Sequence, residues 1–173
     1  VFAHEHVTEL AKWSSVPVLN GLSDYNHPCQ AFTDIFTIFE HFHTLNNIKV
    51  AYVGDGNNVA LSLLFACSRL GVNFSIASPE GYDISPNNWE LAKNESVFNG
   101  STIEQYRNPH EAVQDADVVY TDTWTSMGQE EESKKRESIF PPYQVNTTLL
   151  SYAKPTAIVM HCLPAHRGQE ITD

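Results

Sequence analysis

Short strand-like runs alternate with helix-like segments from Ile48 to Leu163, and this alternation constrains the fold more than any other feature of the chain. The runs are Ile48–Val53, Phe74–Ala77, Thr102–Tyr106, Val118–Asp122 and Ala157–Met160. Between them, Val59–Leu70 is apolar on nearly all sides and is followed by Gly71, a natural helix C-cap. Trp89–Phe98 reads as a helix ending near Asn99-Gly100, and Pro109–Ala116 as a shorter one. Strands joined through helices predict an α/β fold, a parallel sheet with helices on both faces. Ligands of such sheets sit outside the C-terminal ends of the strands. The most distinctive tails, Gly54–Asn58, Asp122–Gly128 and His161–Pro164, lie at such ends, so the chemistry is expected to converge there.

Upstream, Glu5–Trp13 reads as a helix, Val16–Leu19 as an apolar run, and Asn20-Gly21 as a break. Pro28 suits the first turn of a helix, where its missing N–H is harmless, and that helix should run to about His43. Phe32, Ile35, Phe36 and Phe39 form one stripe at helical spacing. A domain boundary is expected within or just after this helix. Downstream, Gln129–Glu137 sets Glu130, Glu131 and Glu132 four residues before Lys134, Lys135 and Arg136. Such pairs support a solvent-facing helix by about 0.2–0.5 kcal/mol each, and Pro141-Pro142 ends it.

Composition narrows the function classes. A net charge of -11 and a pI of about 5.0 oppose binding to nucleic acid or to an anionic membrane surface. They leave room for a small anionic substrate held by a few local donors. Cys29, Cys67 and Cys162 are odd in number and widely spaced, which argues against a disulfide framework and for a reducing, cytoplasmic setting. No apolar run is long enough to span a bilayer. The chain opens on Val1 and stops at Asp173 without a natural boundary, and is expected to be a piece of a longer protein.

Four motifs carry candidate chemistry. His27-Pro28-Cys29-Gln30 starts a helix, where free N–H groups and the helix dipole favour an anion; His27 can donate to a carbonyl or phosphate oxygen, and Gln30 can hold an amide-like group. Gly54-Asp55-Gly56-Asn57-Asn58 follows a strand and opens a helix, like a dinucleotide fingerprint, but lacks the third glycine and the acidic residue for a ribose. Amide side chains there suit an amino-acid ligand better than a pyrophosphate. Asp122-Thr123-Trp124-Thr125-Ser126-Met127-Gly128 leaves a strand with a carboxylate able to hold an ammonium. His161-Cys162-Leu163-Pro164 leaves the last strand with a cysteine that is a nucleophile, a proton acceptor or an inert core thiol. The spacings of His41, His43, His161 and Cys162 match no structural zinc pattern, and no metal is expected.

In this order, HPCQ, GDGNN, DTWTSMGQEEE and HCLPAHRGQE resemble the ornithine carbamoyltransferases of the aspartate/ornithine carbamoyltransferase family. Ser15–Asp24 and Thr37–His41 are similar to that family too, so the resemblance covers essentially the whole chain. It implies that residues 1–43 end a carbamoyl-phosphate domain with its linking helix, and that residues 44–173 form a Rossmann-like ornithine domain lacking its C-terminal helix. It also implies transfer of a carbamoyl group from carbamoyl phosphate to the δ-amine of L-ornithine, in arginine biosynthesis or the urea cycle, by a homotrimer without cofactor or metal. By the same resemblance, His27, Pro28, Cys29, Gln30, Cys162 and Leu163 meet carbamoyl phosphate, and Asn58, Asp122, Ser126 and Met127 meet ornithine. His27 polarises the carbonyl, while Asp122 and a Cys162 thiolate receive or position the amine proton. The family's Ser-Thr-Arg-Thr phosphate loop and its late arginine are absent, so this chain alone is expected to be inactive. The rival readings are a nicotinamide-dependent oxidoreductase, disfavoured by the incomplete fingerprint, and a non-catalytic binding module, disfavoured by the presence of Asp122 and Cys162. Ser126-Met127-Gly128 stands where an aspartate-specific enzyme carries an arginine-containing loop; N-acetylornithine and putrescine stay open as acceptors.

Overall fold

A computed structural model of the chain describes residues 3–126 and 130–173. Its strands are β1 (Lys49–Val53), β2 (Asn73–Ala77), β3 (Ile103–Tyr106), β4 (Val118–Thr121) and β5 (Ile158–His161). Its helices are α1 (His4–Trp13), α2 (Pro28–Phe42), α3 (Asn58–Leu70), α4 (Pro86–Asn99), α5 (Pro109–Val113), α6 (Ser133–Ile139) and α7 (Thr147–Leu150). The strands form one five-stranded, wholly parallel sheet in the order β3-β2-β1-β4-β5. The chain therefore builds outward from β1 to β3 and then jumps to the other side of β1. The crevice between the ends of β1 and β4 is the switch point where ligands of such sheets bind.

The apolar runs look continuous because most of the sheet is covered on both faces. Successive side chains point to opposite faces. Val50, Tyr52, Phe74, Ile76, Val118 and Tyr120 pack on the layer of α2, α3 and α4, with Ile35, Ile38, Leu63, Leu64 and Ala92 opposite them. Ala51, Val53, Ala77 and Val119 face the other way, onto Ala112, Val113, Tyr143 and Leu149. The parallel sheet covered on both faces is the fold that the alternation of elements predicts. Among the described residues, no helix is long and apolar enough to cross a membrane.

Some expectations need correction. α4 starts at Pro86, before the expected Trp89, because the Ser85 side chain caps it and Pro86 fills its first turn. α7, set by the Asn146 cap, has too few residues to show a period and was not anticipated. On α2 the named stripe is largely on the outside: Phe32, Phe36 and Phe39 are 68%, 59% and 47% exposed. The buried face is Ala31, Asp34, Ile35 and Ile38, which includes a carboxylate because that carboxylate has two donors beside it. The acidic run Glu130–Glu132 is a 3-10 turn, with α6 following it. Arg136 is buried rather than solvent-facing, because its guanidinium has an interior partner, Asp55.

Candidate active site

The tail of β1 turns sharply at Gly56. A Cβ there would lie 2.4 Å from the Ile84 backbone nitrogen, so only glycine lets the segment after β2 approach so closely. The turn delivers Asn57 to the start of α3, where its Oδ1 accepts the N–H groups of Val59 and Ala60 at 3.0 Å each. The cap holds the amide so that its other end is free to act: Nδ2 donates to Asp122 Oδ2 at 2.7 Å and to Ser126 Oγ at 3.3 Å.

Asp122 stands at the tail of β4, buried. Its Oδ1 accepts the Thr123 backbone N–H at 2.7 Å and the Cys162 thiol, from the tail of β5, at 3.0 Å. Burial, and then the Asp122 charge, push the Cys162 thiol far above the ordinary range. At neutral pH it is a thiol that donates to Asp122. The expected thiolate is not the state of the free site, and Asp122 accepts the hydrogen bond of the pair.

The β5 tail is pinned by His161. Its Nδ1 accepts the Leu163 N–H at 2.8 Å, and Nε2 faces Glu170 Oε1 at 3.1 Å. A ring accepting at Nδ1 is the neutral tautomer that donates from Nε2. Glu170 is buried, which raises its carboxyl, but hydrogen bonds from His161 and the His166 backbone outweigh that and hold it below the ordinary value. Leu163 itself is exposed, with φ 61°.

The start of α2 forms the other wall. His27 is its N-cap, and its backbone N–H donates to Ser62 Oγ at 2.7 Å. His27 Nδ1 is buried without a hydrogen-bond partner among the described residues. Pro28 fills the first helical position, and the exposed Cys29 donates its thiol to the Asn20 carbonyl at 3.6 Å. Gln30 donates through Nε2 to Asp34 Oδ1 at 2.9 Å. Burial raises the Asp34 carboxyl, its hydrogen bonds from Gln30 and Tyr120 oppose this, and the charges of His27 and Asp122 both act on it. The start of α2 is thus joined to β4, the strand whose tail carries Asp122, through Asp34, which accepts from both Gln30 and Tyr120.

The structure therefore brings Asp122, Ser126 and Cys162 together, and puts His27 and Gln30 across from them. Asn58 is placed differently, with its Nδ2 donating to the Ser23 carbonyl at 2.7 Å; Asn57 is the amide that joins the cluster. The cap position before an apolar helix was the signal that could have separated the two asparagines. Met127 lies outside the described residues. Ligand atoms of Asp122, His161 and Cys162 lie within 4.8 Å of one another. Both His161 nitrogens are already engaged, so a metal would have to displace one of those bonds.

Comparison with known proteins puts this geometry in context. Residues 46–173 match the Asp/Orn binding domain of aspartate/ornithine carbamoyltransferase, and residues 1–40 match the carbamoyl-P binding domain. A relative from Thermococcus kodakarensis named ornithine carbamoyltransferase is 53% identical over 173 residues, all of this chain and 55% of its own length. A Bacillus subtilis relative of the same name is 52% identical over 171 residues, 99% of this chain and 54% of its own. The solved ornithine carbamoyltransferase of Pyrococcus furiosus superposes with a TM-score of 0.95 at 50% identity, covering 99% of this chain and 55% of that one. The chain thus spans about half the length of the curated relatives it matches. With both domain types matched in order and the strand-end cluster in place, the chain belongs to the aspartate/ornithine carbamoyltransferase family.

Proposed function

We propose that the protein carrying this chain transfers the carbamoyl group of carbamoyl phosphate to the δ-amine of L-ornithine, giving L-citrulline and phosphate. In this reading residues 1–43 end the carbamoyl-phosphate domain and residues 44–173 receive ornithine. The observation that carries it is the Asp122 carboxylate, buried at the β1/β4 switch point and aligned by Asn57, Thr123 and Cys162. Such a group suits an alkylammonium and not a second carboxylate. Ser126, Met127, Asn57 and Asn58 serve the α-amino-acid end of ornithine. His27, Pro28, Cys29, Gln30, Cys162 and Leu163 serve carbamoyl phosphate. The work is done in the cytoplasm by a homotrimer.

The chemistry needs a neutral amine. Asp122 holds the δ-ammonium and takes up its first proton, with the Cys162 thiol hydrogen-bonded to the same carboxylate to fix its direction. The amine nitrogen then bonds to the carbonyl carbon. The oxyanion that develops is met by His27 and by the N–H groups at the start of α2. The carbon–oxygen bond to phosphate breaks, and the departing phosphate takes the second amine proton. Fixing both substrates in line supplies much of the acceleration.

The test is citrulline formation by the full-length protein, with L-ornithine, N-acetyl-L-ornithine, putrescine and L-aspartate compared as acceptors at equal carbamoyl phosphate. L-Ornithine should give the highest kcat/KM. A better rate with any of the other three, or no carbamoyl transfer at all, overturns the reading. The chain of 173 residues alone should bind carbamoyl phosphate poorly and turn nothing over, because His27 and Gln30 cannot replace charge-assisted arginine contacts.

A further inference from the structure

We propose that Asp34 is a positioning residue that sets the direction of the Gln30 amide, and so makes the site select an N–H-bearing carbamoyl group over an acyl group of the same shape. The inference rests on the reading of Gln30 as a carbamoyl contact and adds what decides its direction.

Asp34 lies one helical turn beyond Gln30 on α2, 4% exposed, facing the sheet. Both of its oxygens are in use. Oδ1 accepts from Gln30 Nε2 at 2.9 Å, and Oδ2 accepts from the Tyr120 hydroxyl at 2.8 Å. Tyr120 is a fully buried β4 residue stacked on Tyr52, with ring centroids 5.8 Å apart and planes 16° from parallel. Asp34 therefore cannot swing away from Gln30 without breaking a contact to the middle of the sheet.

A primary amide has a donating end and an accepting end that a half-turn exchanges. A carboxylate accepts only. With Asp34 behind it, Gln30 must turn its NH2 inward, and its carbonyl oxygen is directed away from Asp34. That oxygen has no hydrogen bond among the described residues. The site consequently offers an acceptor. Carbamoyl phosphate has an NH2 to give it, whereas acetyl phosphate, nearly the same shape, has a methyl group and leaves the acceptor unpaired. A polar group left unpaired once the ligand has covered it is what makes such discrimination steep.

The experiment uses the full-length protein and measures one ratio: Ki of acetyl phosphate as a competitive inhibitor over KM of carbamoyl phosphate. Asp34→Asn keeps the shape but offers an NH2 as well as an oxygen, so Gln30 is free to turn. The ratio should fall about tenfold, the worth of one hydrogen bond to a desolvated partner. Gln30→Glu combined with Asp34→Asn exchanges the roles: the new amide at position 34 donates to the new carboxylate at position 30, which again presents only acceptors. The double variant should regain most of the ratio, and the carboxylate now moved to position 30 weighs alike on both ligands because both are acyl phosphates. Tyr120→Phe takes away the tether of Asp34 but leaves its carboxylate beside Gln30, so it should lower the melting temperature and lower the ratio by less than Asp34→Asn does; a fall as large as that of Asp34→Asn overturns the proposal. A residue that merely filled space would give losses that add in the double variant. An unchanged ratio in Asp34→Asn, or a double variant no better than Asp34→Asn alone, overturns the proposal. No citrulline from the wild type sinks carbamoyl transfer itself, and an active wild type whose ratio survives Gln30→Ala overturns the Gln30 contact instead.

Discussion

Arg136→Met removes one charge and tests how the tails of β1 and β4 are held together. The guanidinium is almost fully buried, donating through Nη1 to Asp55 Oδ2 at 2.6 Å and to the Trp124 carbonyl at 2.9 Å. It also lies 4.8 Å over the Tyr82 ring, and its Nε reaches the more exposed Glu132 at 3.2 Å. Asp55 belongs to the β1 tail and Trp124 to the β4 tail, so one side chain ties together the two segments that present Asn57 and Asp122. Methionine keeps the unbranched stem against Tyr82 but leaves the Asp55 carboxylate and the Trp124 carbonyl without their donor. Breaking a buried pair by deleting one partner costs about 3–5 kcal/mol. For a chain of this size that is a fall in melting temperature of roughly 6–20 °C. The loss should depend on pH. Burial already holds the Asp55 carboxyl above its ordinary 3.8, with Arg136 pulling it back; without Arg136 it rises further. A carboxyl raised in the folded state gives its full contribution below the unfolded value and loses it as pH rises through the folded one. The deficit of the variant should therefore grow from about pH 4 toward neutrality. Asp55→Asn added to Arg136→Met should recover part of the loss, since no unpaired charge is then left inside. Melting followed by circular dichroism across that range decides the point. A variant within about 1 kcal/mol of wild type at neutral pH, or a deficit that shrinks as pH rises, refutes the reasoning.

Iodoacetamide labelling followed by intact mass should order the cysteines as Cys29, then Cys162, then Cys67, since Cys29 is exposed, the Cys162 thiol is held protonated, and Cys67 is buried with its thiol pushed far up by burial. Asp122→Asn should speed Cys162 by removing the neighbouring charge; labelling of Cys162 as fast as Cys29 in the wild type contradicts the assigned thiol state. Glu170→Gln should destabilise the chain at neutral pH and flatten its acid limb, because a carboxyl held below its ordinary 4.5 gives stability that is full above that value and is lost as pH falls through the folded one; parallel acid titrations of wild type and variant would count against this.

The sheet was legible because β1, β4 and β5 are largely apolar, and a run of such residues ending in Gly54, Asp122 or His161 carries its own boundaries. Those ends alone pointed to where the candidate site was to be expected. Strand order did not follow, since alternation of strand and helix is the same whichever side of β1 receives β4. That order is what makes Asn57 and Asp122, 65 residues apart, neighbours at 2.7 Å.

What remained hidden has one physical character: polar groups that satisfy each other inside the molecule across long stretches of chain. Asp34 and Tyr120 are 86 residues apart, Asp55 and Arg136 are 81, and Asp122 and Cys162 are 40. Periodicity ranks residues by hydrophobicity, so it assigns a carboxylate on α2 or an arginine on α6 to the solvent face. Desolvation reverses that assignment only when a partner waits inside, and nothing local records the partner. The error over the α2 stripe has the same origin. Three phenylalanines outweigh one aspartate in any local count, yet Asp34 lies on the buried face with Ala31, Ile35 and Ile38, its two oxygens satisfied, and Phe32, Phe36 and Phe39 are outside. The buried polar contacts and the apolar residues of the same face act together: Ala31, Ile35 and Ile38 pack on the core side of α2, and Asp34 can share that side because Gln30 and Tyr120 both donate to it.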